Sequence, residues 1–249
     1  MAVKSNYIKP KFKKESNPKV GLLALSTDLT IERDFNSICH KLPLDIFVNR
    51  IHNENPLTRE NLLKMHEQIE SITEKILPGE KISTVAYACT SGTIAIGEDK
   101  VKEKIQLAKP NCHVTTPITS AIKAFNKMNV KKVAVFTPYP ETVNKTISEY
   151  LIKNNINVMS FSTFNLDLDV DFARVDPKYL SEILIQLDIN NADALFVSCT
   201  ALPALEILEE VEKKINKPVF SSNQTLIWDT VRSAGYKNSI AGYGKLLRI

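Results

Sequence analysis

Two short stretches of the chain can carry chemistry: Tyr87-Ala88-Cys89-Thr90-Ser91-Gly92 and Val197-Ser198-Cys199-Thr200-Ala201-Leu202, with their cysteines 110 positions apart. In each, strand-forming residues run into Ala or Ser, then Cys, then Thr. A thiolate is both base and nucleophile. Hydroxyls and free backbone N–H groups beside it can hold a carboxylate or a developing enolate. A helix N-terminus after each Cys is expected to lower the thiol pKa, while desolvation in a closed cleft opposes that. One free Cys is usually a small buried hydrophobe. Two at equivalent points of a repeat, each followed by Thr, argue for one active site built from two halves. Cys39 and Cys112 lack that setting and are read as core or surface residues. Cys112-His113 is no dyad, because adjacent strand residues point to opposite faces.

The hydroxyls of Thr90, Ser91 and Thr200 are the first candidates for holding a substrate. Tyr139, fixed between Pro138 and Pro140, can aim a phenol at the same place. Thr27 and Asp28 occupy the matching position after the first strand. Asn223 is read as a helix cap whose amide can still reach a ligand. The histidines at 40, 52, 66 and 113 show no metal-ligand spacing, and no CxxC occurs. Neither GxGxxG nor a P-loop is present. The expected chemistry therefore uses side chains, with no metal and no cofactor.

The elements that would position these residues alternate between strand and helix. Strands are expected at 20–25, 45–50, 82–88 and 113–115, and again at 133–136, 157–161, 194–198 and 218–220. Helices are expected at 30–38, 58–76, 97–108, 117–128, 141–154, 176–190, 202–215 and 221–234. The order repeats, and the offsets agree: Lys109-Pro110 returns as Lys217-Pro218, 108 positions on. Near-continuous apolar strands between helices imply parallel sheets covered on both faces. The expected fold class is α/β, with two pseudo-twofold-related, flavodoxin-like parallel-sheet halves. Ligands bind at the carboxyl ends of such strands, which places the site in the cleft between the halves. Residues 1–18 form a polar tail; 19–117 plus 224–249 form the first half, and 118–223 the second.

The 249 residues, 43% hydrophobic and 24% charged, suit a soluble globular protein. A net charge of +4, with Lys interleaved with Glu, argues against a nucleic-acid partner. The basic run Lys9 to Lys14 reads as part of the polar tail. No apolar run is long enough to span a membrane, and no secretory signal is visible. Four unpaired cysteines fit a reducing, cytoplasmic location.

These residues resemble a known group, from about Val20 to Leu247. The markers are the two Cys-Thr stretches, Thr137-Pro138-Tyr139, Ala173-Arg174-Val175-Asp176, Lys217-Pro218-Val219-Phe220-Ser221-Ser222-Asn223-Gln224 and Gly242-Tyr243-Gly244-Lys245-Leu246-Leu247. The chain resembles the cofactor-independent aspartate/glutamate racemase superfamily, in the branch of arylmalonate decarboxylase, maleate cis-trans isomerase and the ectoine-utilisation A proteins. Leu25-Ser26-Thr27-Asp28 and Cys89-Thr90-Ser91-Gly92 look most like the ectoine-utilisation subgroup.

The resemblance implies a homodimer acting on a small carboxylate. Cys89 and Cys199 would serve opposite faces of one carbon, one removing a proton and the other returning one. Arylmalonate decarboxylase has only the second of these cysteines, so both being present argues against simple decarboxylation. Maleate isomerase has both and uses one as a covalent nucleophile. Its N-terminal loop carries Asn where this chain reads Ser26-Thr27-Asp28, and Asp28 suits a nitrogen cation better than a second carboxylate. The expected function is a two-cysteine racemase or epimerase of a small carboxylic acid, such as a hydroxyectoine-derived one. The alternatives are a cis-trans isomerase, a malonate decarboxylase and a metabolite-binding protein without turnover.

Overall fold

The computed structural model describes residues 5–12 and 17–249. Part of the expected tail, residues 1–4 and 13–16 with Lys13 and Lys14, lies outside the described residues. The strands are β1 (Lys19–Leu25), β2 (Asp45–Ile51), β3 (Thr84–Tyr87), β4 (His113–Thr115), β5 (Lys132–Thr137), β6 (Asn157–Thr163), β7 (Ala194–Val197) and β8 (Val219–Ser221). The first five helices are α1 (Ile31–Cys39), α2 (Arg59–Lys64), α3 (His66–Glu74), α4 (Thr90–Ile96) and α5 (Glu98–Ala108). The others are α6 (Pro117–Lys127), α7 (Glu141–Lys153), α8 (Asp169–Phe172), α9 (Pro177–Gln186), α10 (Leu208–Ile215) and α11 (Ser222–Ser233).

Two four-stranded parallel sheets form, ordered β2-β1-β3-β4 and β6-β5-β7-β8. The fold is the expected duplicated α/β arrangement, and both sheets have the same strand order. The central strands are buried end to end because each carries an unbroken apolar run, such as Thr84–Tyr87 and Ala194–Val197. Several helix-to-strand turns rest on asparagine in the left-handed region: Asn111, Asn129, Asn155 and Asn216. Asn is among the few residues with a side chain that tolerate this conformation at a helix end.

The last helix of each repeat packs across to the other sheet. Phe125 on α6 sits edge-on to Phe196 of β7 and Phe220 of β8, with ring centroids 5.3 and 5.0 Å apart. In return α11 packs on β3, β4 and α6. Thr115 and Thr230 share a hydrogen bond of 2.7 Å, and Asp229 accepts from Ser120 (2.9 Å) and Lys123 (2.7 Å).

Three helix expectations need correction. The span 58–76 is two helices, parted at Met65, with Thr58 capping the first through the N–H of Asn61. The segment after Cys89 is itself a helix, α4, separated from α5 by Gly97 at φ +95°. That backbone conformation suits glycine and bends the chain between them. Helix α10 begins only at Leu208, after a short 3-10 turn at Leu205–Ile207. Pro203 lies in the intervening turn and has no N–H to give a helix.

Candidate active site

β3 and β7 end two residues before Cys89 and Cys199, and both thiols line one small cavity between the sheets. Of the residues expected to hold substrate, Thr27, Asp28, Ser91, Tyr139 and Thr200 share its wall. Leu57, from the loop after β2, helps to close it. The cavity has about 10 Å³ of free volume, scarcely room for one water. This is a closed state, and anything larger must open it.

The two thiols sit in different settings. Cys89 caps α4, and its Sγ accepts from the Gly92 N–H at 3.2 Å and lies 3.8 Å from the Ser91 hydroxyl. The sulfur can come this close to the backbone because residue 92 has no side chain. A Cβ there would lie 2.7 Å from the Tyr87 hydroxyl and 2.8 Å from both Cys89 Sγ and Met65 Cε. Cys199 leads into a turn instead of a helix. Its Sγ accepts from the Ala201 N–H at 3.3 Å, and the Tyr139 hydroxyl can donate to it.

The expected lowering of the thiol pKa does not occur in this closed state. Burial pushes Cys89 up to about 12, against the pull of the Gly92 N–H and Ser91, and the nearby Asp169 and Asp28 charges push the same way. Burial also raises Cys199; the Tyr139 hydroxyl and the Ala201 N–H draw it down, and Asp169 and Asp28 push it up. Desolvation outweighs a one-helix dipole and a few hydrogen bonds when no water remains. Closed, the site holds two neutral thiols. Cys39 and Cys112 are core residues, as expected, and burial raises both.

Two expected site residues do not line the cavity. Thr90 is buried one layer back, its hydroxyl 3.0 Å from that of Ser222. Asn223 does not cap α11; Ser221 does, through the Gln224 N–H. The Asn223 amide donates to Asp34 at 2.7 Å and to the carbonyl of Thr200 at 2.8 Å. It therefore fixes the turn after Cys199 from behind. Asp34 is held up to about 7 by burial, against the pull of Asn223 and Arg33.

Sequence reasoning missed Asp169, which lines the cavity from α8. Its Oδ2 accepts from Thr27 (3.0 Å) and from Asn53 Nδ2 (2.8 Å), and Asn53 also donates to the Thr27 hydroxyl at 2.8 Å. Asp28 braces the start of α1, whose N-cap is Thr30: its Oδ1 accepts from the N–H groups of Thr30 (2.8 Å) and Ile31 (3.0 Å) and from the Thr30 hydroxyl (3.1 Å). Burial raises both carboxylates. Among the described residues, no cluster of His, Cys, Asp and Glu could hold a metal ion, and no helix is long and apolar enough to cross a membrane.

A family profile described as arylmalonate decarboxylase matches residues 67–247. Maleate isomerase of Geobacillus stearothermophilus is 24% identical over 245 residues, 92% of this chain and 96% of that one. The crystal structure of the maleate isomerase Iso from Pseudomonas putida S16 superposes with a TM-score of 0.85 at 20% identity, covering 94% of this chain and 99% of its own. A cysteine-to-serine mutant of Nocardia farcinica maleate cis-trans isomerase, holding a covalently bound succinylcysteine intermediate, gives 0.85 at 19% identity over 94% and 99%. At these identities the structural likeness speaks for the fold.

Proposed function

From the premise that the chain belongs to the arylmalonate decarboxylase family, we propose that it is a cofactor-free, cysteine-dependent isomerase of the racemase or epimerase type. One observation carries this reading: thiols from equivalent strand ends of the two repeats, Cys89 and Cys199, line a single cavity. One, as thiolate, takes the proton α to a carboxylate. The electron pair left on carbon spreads into the carboxylate as an enediolate, held by hydroxyls and N–H groups at the cavity wall. The other thiol returns a proton to the opposite face. After one turnover the first sulfur is a thiol and the second a thiolate, so the enzyme is set for the reverse direction.

The test is solvent deuterium at the α-carbon, read across a panel of amino acids, hydroxyectoine-derived acids and maleate by chiral chromatography and mass spectrometry. Cys89→Ala and Cys199→Ala should each abolish racemisation. Full rate in either single variant would falsify the two-thiol mechanism.

A second reading has its own support. The similarity to a maleate isomerase runs over 92% of the chain, which favours cis-trans isomerisation through a thioether. Addition of one sulfur to the double bond, rotation and elimination would leave no net proton transfer. A stable adduct on Cys89 or Cys199 after incubation with maleate, seen by intact mass, would select this route. Release of carbon dioxide from a substituted malonate would instead select decarboxylation.

A further inference from the structure

The two thiols take their backbone hydrogen bonds from peptides that are held in different ways. For Cys89 the donor is the Gly92 N–H, inside α4, where the helix ladder fixes each peptide plane. For Cys199 it is the Ala201 N–H, in a turn with no helix before the 3-10 segment at Leu205–Ile207. A peptide is planar and trans, so its N–H and C=O point opposite ways. Whatever holds the Thr200 carbonyl therefore also aims the Ala201 N–H.

That carbonyl is held by side chains. The Asn223 amide donates to it at 2.8 Å and to Asp34 Oδ2 at 2.7 Å. The Thr30 hydroxyl lies 2.5 Å from the same oxygen and 3.1 Å from Asp28 Oδ1, and its one proton serves one acceptor at a time. Asn223 is thus the dedicated donor. Its amide nitrogen has two N–H groups and serves both acceptors at once, which its oxygen could not do. The arrangement leaves Oδ1 buried without a partner on a residue that is 1% exposed. An unpaired buried oxygen costs stability. Helix α11 does not need this amide as a cap, since Ser221 supplies one.

We propose that Asn223, anchored by Asp34, is a positioning residue for Cys199: it locks the Thr200–Ala201 peptide with its N–H facing the sulfur. Neither side chain lines the cavity, so both act through the peptide and not on a ligand. The role rests on the two-thiol reading above for why Cys199 must reach its thiolate. It gives the second repeat what α4 gives the first, a fixed N–H beside the sulfur, built from side chains where the chain has no helix.

Thr200-Ala201 is the only Thr-Ala pair in the sequence, so intact protein made with carbonyl-¹³C threonine and ¹⁵N alanine gives one carbonyl-linked amide peak, that of this peptide. Asn223→Leu removes the donor at similar size. The Thr200 carbonyl carbon should move upfield as its oxygen loses a hydrogen bond. Iodoacetamide alkylation of Cys199 should slow about fivefold or more relative to Cys89, the worth of one neutral hydrogen bond. Cys89 shares the cavity, so the ratio cancels any change in how the site opens. Asp34→Leu frees the amide from its anchor; it should move both readings the same way and serves where Asn223→Leu does not fold. Asp34→Asn keeps an oxygen for the amide and should restore both. An unmoved peak, an unmoved Cys199-to-Cys89 ratio, or a ratio that stays low in Asp34→Asn would overturn the proposal. A loss confined to Cys199 without deuterium exchange at the α-carbon sinks the two-thiol mechanism alone; exchange with an unmoved ratio sinks this inference alone.

Discussion

Replacing Tyr139 with Phe should slow the chemistry of one cysteine and leave the other untouched. The Tyr139 ring is buried and packs edge-on to Phe172 at 5.5 Å, so Phe preserves the packing. What is lost is the hydroxyl, the strongest influence lowering the Cys199 pKa. It gives Cys89 no hydrogen bond; there Gly92 and Ser91 supply them. A hydrogen bond to a charged group is worth about 1.5–3 kcal/mol. Losing a donor to the charged form raises the pKa, so the thiolate fraction falls at any pH below it. At about 1.4 kcal/mol per factor of ten, the fall is about 10- to 150-fold. The assay is iodoacetamide alkylation at pH 8, followed separately at Cys89 and Cys199 by peptide mass spectrometry. The Cys199 rate should drop by that factor with Cys89 unchanged. A parallel drop at both, or none at Cys199, would refute the assignment of the Tyr139 hydroxyl to the second thiol.

Three further outcomes follow from the packing. Gly92→Ala should drive its new Cβ into the Tyr87 hydroxyl, Cys89 Sγ and Met65 Cε, costing about 1–3 kcal/mol of stability and most of the turnover; urea unfolding and the deuterium assay read the two effects. The Asp34 carboxyl, raised from 3.8 to about 7, binds its proton more tightly folded than unfolded, so stability should decline as pH rises from about 4 to about 7. The Asp34 share of that decline is worth about 4 kcal/mol, and Asp34→Asn should remove it from melting curves taken across the range, leaving the decline due to Asp28 and Asp169; an equal decline in wild type and variant would dismiss Asp34 as a source. Phe125→Ala, which removes the ring between Phe196 and Phe220, should cost about 3–5 kcal/mol in urea unfolding.

The sheets and both thiols were legible because their signals are local and repeated. A buried parallel strand announces itself as an apolar run, and strand-Cys-Thr occurs at matching points of two repeats. Asp169 was not legible. It lies in the 162–175 stretch, with no periodic pattern, and becomes a site residue only through Thr27 and Asn53 far along the chain. Asn223 misled for the opposite reason. Its place after a strand suggested a ligand contact, but Asp34, 189 positions away, holds its amide behind the cavity wall. The thiol pKa direction was also out of reach, since it depends on how tightly the cavity closes, and no local motif encodes that. The short helix α4 escaped because β-branched Thr93, Ile94 and Ile96 around Gly92 give no helical signature.

The crossed packing of α6 and α11 bears on how such a molecule could arise. A chain of half this length, ending in its own last helix, would leave one sheet face bare, because that helix belongs to the other sheet. Only a pair exchanging those helices would be complete, which is a domain-swapped homodimer. In such a pair both thiols would face each other across a true twofold axis in identical surroundings. Joining two copies end to end removes that constraint, and this chain shows the divergence: one sulfur at the start of a helix, the other at the mouth of a turn beside a phenol.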